Sequence, residues 1–72
     1  MIDRELFSAI KTKQNVSAQA LYAGIHKLRE RFGNSISKEE ASYIYASELG
    51  IDIYKYLKDN AELRNHVRGL NS

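Results

Sequence analysis

Apolar residues recur along this chain at intervals of three and four, the spacing that puts them on one side of a helix. The clearest stripe is Leu21, Ile25, Leu28 and Phe32, widened by Ala18 and Tyr22. Ser17 is placed to cap that helix, and Gly33 followed by Asn34 is placed to stop it. Gly24 lies inside it, where glycine costs about 1 kcal/mol relative to alanine; close helix packing is the reading that accounts for it. Upstream, Leu6, Phe7 and Ile10 mark a shorter helix from Asp3 to about Thr12. Asp3 serves as its cap, Lys11 and Lys13 sit at its negative end, and Gln14-Asn15-Val16 forms the link.

A third helix opens at Ser37, which forms a capping box with Glu40 and a small hydrophobic staple between Ile36 and Ala41. Its predicted buried face is Ala41, Ile44, Tyr45 and Leu49. Gly50 ends it, with Ile51 folding back as in a Schellman motif. Asp52 caps a short fourth helix from Ile53 to about Lys58, with Ile53, Tyr56 and Leu57 inward. Asp59 and Glu62 then start a fifth, carrying Leu63, Val67 and Leu70, before Gly69 and a frayed Asn71-Ser72 tail. Tyr43-Ile44-Tyr45 has β-propensity, but it sits inside a capped helical pattern and reads as helix.

The expected fold is therefore all-α, a compact bundle of four or five short helices with a helix-turn-helix-like corner near Gly50. Its core pair is the second and third helices, around Leu21, Ile25, Leu28, Phe32, Ile44, Tyr45 and Leu49. Seventy-two residues make one domain, 1–72, with a modest core. Because the chain starts at Met1 and its helical pattern runs to the end, it also reads as the N-terminal domain of a longer protein. No cysteine is present for a disulfide or a thiolate metal site, and no proline interrupts the helices. The first residues lack a signal-peptide stretch, and no apolar run approaches the roughly 20 residues that span a bilayer. A cytoplasmic protein without membrane association is the expectation.

Net charge is only +2, but its distribution is uneven. Residues 11–38 carry six cations against one carboxylate, a net of +5; residues 39–62 carry six carboxylates against two lysines, a net of −4. Such asymmetry points to partners rather than to fold.

His26 and His66 lie on different helices with no metal-ligand spacing, and read as surface or half-buried side chains. Glu39 and Glu40 occupy the first turn of a helix, where carboxylates stabilise the dipole rather than act as an acid/base pair. No glycine-rich phosphate loop occurs. A non-enzymatic protein without cofactor or metal is expected. Two binding readings then compete. In the first, Lys11, Lys13, Lys27, Arg29 and Arg31 contact the phosphates of a nucleic acid, DNA above all, with Lys55 and Lys58 added by the short helix after Gly50. The bland alternative for these cations is a solvated helix face. In the second, Tyr22, Tyr43 and Tyr54 are exposed and dock a protein partner, since five tyrosines and two phenylalanines exceed what so small a core requires. Each of these tyrosines also suits a core position. The opposed basic and acidic halves suit a homodimer as well.

Ala46, Gly50 and Ile51 follow the A-x-x-x-G-[IV]-[ST] core of DNA-binding helix-turn-helix motifs, with Asp52 at the last position. The helix after the turn is short, Tyr56 stands where a smaller aliphatic is usual, and the segment is acidic. The longer stretch from Ile36 to Asp52 resembles an I-S-x-E-x-A-x-x-[LI]-x-A-x-E-L-G-[IV] helix of prokaryotic and archaeal nucleic-acid-associated proteins, including helical segments beside the OB-folds of archaeal replication protein A. The resemblance covers about a quarter of the chain and implies a helical accessory or recognition domain, but it names no binding residues.

Overall fold

A computed structural model describes residues 2–33, 35–58 and 60–70, with Leu70 in its backbone only. Among the described residues four helices follow one another: α1 (Arg4–Gln14), α2 (Ala18–Glu30), α3 (Lys38–Glu48) and α4 (Ala61–Leu70), with a 3-10 turn at Ile53–Lys55. No strand occurs among the described residues. The radius of gyration, 11.3 Å, matches the roughly 11 Å of a compact domain of this length.

Local chemistry starts and stops these helices. The Asp3 carboxylate accepts from the N–H groups of Glu5 and Leu6 at 2.8 and 3.1 Å. Ser17 Oγ accepts from Ala20 N at 3.2 Å. Ser37 and Glu40 form the full capping box, at 3.1 and 3.0 Å. At the far end of α3 the Ile51 N–H reaches back to the Ala46 carbonyl and the Gly50 N–H to that of Ser47. Gly50, at φ +85°, is the left-handed residue that this Schellman motif requires.

Three boundaries differ from expectation. α1 runs on to Gln14 and stops at Asn15, which adopts φ +55°. α2 gives way after Glu30 to tighter bonds to the third preceding carbonyl, which carry the chain to Gly33. The expected helix from Ile53 to Lys58 is only the three-residue 3-10 turn, capped by Asp52. For α4 the capping oxygen is Asn60 Oδ1, which accepts from Leu63 N at 3.1 Å. Asp59, expected in that role, lies outside the described residues, as do Asn34, the Leu70 side chain and the Asn71-Ser72 tail.

α3 is the centre of the molecule, packed against α1, α2, α4 and the 3-10 turn. A helix enclosed on several sides must be compatible with burial around most of its circumference. Ala41, Ser42, Tyr43, Ile44 and Ala46 are all buried, whereas Tyr45 and Leu49, expected on the inner face, are half-buried. Ser42 satisfies its hydroxyl by donating to the Glu39 carbonyl at 2.6 Å. Around α3 the core is completed by Leu6, Ile10, Leu21, Ile25, Leu28, Ile36, Ile53, Leu57 and Val67. Gly24 faces the Tyr45 ring so closely that an added Cβ would lie 2.9 Å from its hydroxyl, which itself donates to Gln14 at 2.8 Å. Close packing is thus the reason for a glycine inside α2.

Candidate nucleic-acid interface

The cations of the basic segment do not form one face. Arg29 is half-buried, and its Nε donates to the Ile36 carbonyl at 2.8 Å, tying the end of α2 to the entry of α3. Arg31 reaches Glu48 on α3 at 3.1 Å, so the basic and acidic halves meet within one chain at this point. Lys27 is exposed beside it, in a shallow depression with Gly24, Leu28 and Tyr45 that also contains Glu48. Lys13 is exposed at the end of α1 and belongs to neither group. Lys55 ends the 3-10 turn with its ammonium 5.6 Å from the Tyr56 ring centroid. Lys55 and Lys58 line, together with Arg4, a surface that includes Asp3, Glu5 and Glu39, so its cations are balanced by carboxylates and attract phosphate little.

The helix-turn-helix reading loses its second helix. The corner at Gly50 is real, but three residues of 3-10 helix rise only about 6 Å, and the next α-helix begins at Ala61. Nothing of that length and position acts as a recognition helix inserted in a major groove.

The tyrosines separate as well. Tyr43 is only 2 % exposed, which removes it from any docking surface. Burial, reinforced by the Asp3 and Glu39 carboxylates, pushes its phenol up to about 12, so it stays neutral. Tyr54 is exposed, with the Arg68 guanidinium 5.5 Å from its ring centroid. Tyr22 is 54 % exposed. The histidines meet carboxylates: His26 pairs with Glu30 one turn on, and His66 of α4 with Glu40 of α3.

Among the described depressions, one combines cations with an exposed aromatic ring, Tyr22, and no carboxylate. It lies between α1 and α2, has a volume of about 660 Å³, and is lined by Ile2, Arg4, Phe7, Ser8, Lys11, Thr12, Ala18 and Tyr22. Arg4, Phe7 and Lys11 are spaced three and four apart, so they share a face of α1. Phe7 and Tyr22 meet edge to face, centroids 4.8 Å apart and planes at 76°. Of the four surface depressions described, this one alone carries cations and no carboxylate. Of its lining, Lys11 and Tyr22 were candidates from sequence. Arg4 is masked in a charge count by Asp3 and Glu5, and Phe7 reads as core from its stripe; their spacing from Lys11 is the sequence signal that joins them.

No protein-family model, curated protein or solved structure matches the chain.

Proposed function

We propose that this protein is a non-catalytic nucleic-acid-binding module that holds phosphates with the cations of α1 and α2. The carboxylate-free cleft in which Arg4 and Lys11 flank Phe7 carries this reading. A polyanion meets no carboxylate in that lining, although Arg4 also borders the depression that holds Asp3, Glu5 and Glu39; release of counterions supplies the driving force. Lys13 and Lys27 are exposed on the same two helices and extend the attraction, while Arg29 and Arg31 have internal partners and contribute less.

Titrating a labelled oligonucleotide at several salt concentrations tests the proposal. Two to three phosphate contacts predict a log–log slope of about −1.5 to −2.5. Arg4→Ala combined with Lys11→Ala should flatten that slope by about one to two. Affinity indifferent to salt, or indifferent to the double substitution, would sink the idea. Exposed Tyr22 also supports a second reading, protein docking or self-association; for the latter, sedimentation should show a concentration-dependent dimer that Tyr22→Ala dissolves.

A further inference from the structure

We infer that the α1–α2 cleft selects single strands, stacking one unpaired base on Tyr22 while Arg4 and Lys11 hold the neighbouring phosphates. This inference rests on the nucleic-acid reading above and names the form of the ligand. Its first support is the aromatic geometry. In an edge-to-face pair each ring keeps at least one face clear of its partner, and Tyr22 is the more exposed of the two. The half-buried Phe7 steadies the Tyr22 ring, so stacking on it costs little further conformational entropy.

A second support is spacing. Arg4 and Lys11 are separated by two turns of α1, about 10 Å along its axis, with Phe7, whose ring meets Tyr22, between their levels. A nucleotide lying across Tyr22 can therefore direct its two flanking phosphates to the two cations. The cleft volume, about 660 Å³, lies within the usual range for small-ligand sites. Ser8 and Thr12 line the same wall; a hydroxyl both donates and accepts, which suits base edges of any kind. Little sequence preference follows, as for other stacking platforms.

The duplex is disfavoured on separate grounds. Its bases are already stacked on one another, so the free face of Tyr22 has nothing to take. The helix that would enter a major groove is the 3-10 turn at Ile53–Lys55, beside the carboxylates Asp3, Glu5 and Glu39. DNA and RNA single strands share the unpaired base and the phosphates, and the cleft chemistry described fits both.

The test is fluorescence anisotropy on the full chain at low salt, with five probes of matched length. These are oligothymidine, oligouridine, a duplex, an abasic strand with the same phosphates, and an oligoglutamate peptide. Oligothymidine or oligouridine should bind about tenfold or more tighter than the duplex and the abasic strand. Tyr22→Ala should lower binding of the preferred strand by about 5- to 150-fold, the range for one stacked base, and leave the abasic strand unaffected; Tyr22→Phe should retain binding. Equal, salt-dependent binding of strand, duplex and abasic probe would overturn this inference and leave the phosphate reading standing. Failure of every nucleic acid, with or without capture of oligoglutamate, would overturn both.

Discussion

Tyr22 and Tyr43 begin from similar positions and finish in opposite environments. Each stands beside a main apolar residue of its helix, Leu21 or Ile44. Tyr43 lies on α3, which other elements surround, and is 2 % exposed. Tyr22 lies on the flank of α2 that meets α1 through Phe7 alone among the described ring contacts, and is 54 % exposed. The difference teaches that a tyrosine beside a helical stripe is assigned to core or surface by how many neighbours its helix has. It also explains why the segment that most resembles a DNA reader, residues 36–52, serves chiefly as the central packing element.

The sharpest way to break this comparison is to truncate both rings. Tyr43→Ala should cost about 3–5 kcal/mol in urea denaturation, as for other large buried aromatics. That is a large share of the roughly 4–11 kcal/mol expected for a domain of this size. Tyr22→Ala should cost only about 0.5–1.5 kcal/mol, the worth of its ring pair. Equal losses would show that the two positions are not distinguished by burial.

The next effect probes the α2–α3 seam. Gly24→Val places branched carbon where even a Cβ meets Tyr45 at 2.9 Å, and should destabilise by about 1–3 kcal/mol. If stability instead rises with helix propensity, the seam is looser than the geometry states. Gly50→Ala meets nothing within 4 Å, so its expected loss of about 1–2 kcal/mol is purely backbone strain at φ +85°. Arg31→Ala should change stability by less than about 1 kcal/mol, since both partners of its ion pair are at least half exposed.

The last effect is invisible at neutral pH. Burial pushes the folded Tyr43 phenol up from 10 to about 12, so above pH 10 the unfolded chain is expected to release that proton first. Its stabilising contribution is present in full below pH 10 and is lost as pH rises toward 12. The unfolding midpoint of Tyr43→Phe should therefore fall less steeply across that window than that of the unmodified chain. Parallel curves would show that Tyr43 is not the group responsible.

Much of the fold was legible because its signals are local. Asp3, Ser17, Ser37 and Asp52 cap through bonds spanning two or three residues, and the stop at Gly50 needs only a residue that tolerates positive φ. The end of the helix after Asp52 was less legible. Ile53 and Leu57 are both buried, but their spacing of four is what an α-helix would also give, so the burial pattern does not distinguish a helix from the 3-10 turn. The candidate site was legible only in part. Lys11 and Tyr22 belong to it, whereas Lys13, Lys27, Arg29, Arg31, Lys55, Lys58 and Tyr54 lie outside the cleft lining and Tyr43 is interior.

What the sequence by itself determined was the helical content, most caps, the stop after α3 and the identity of most core side chains. These follow from periodicity and from hydrogen bonds between near neighbours. Only the tertiary structure decided which cations remain available and which aromatic faces stay open. Arg29 reaches Ile36, Arg31 reaches Glu48, and Phe7 meets Tyr22 because helices cross at particular angles and depths. Those crossings are set by the packing of the whole core, with the absent side chain of Gly24 among their determinants, and no local stretch of sequence encodes them alone.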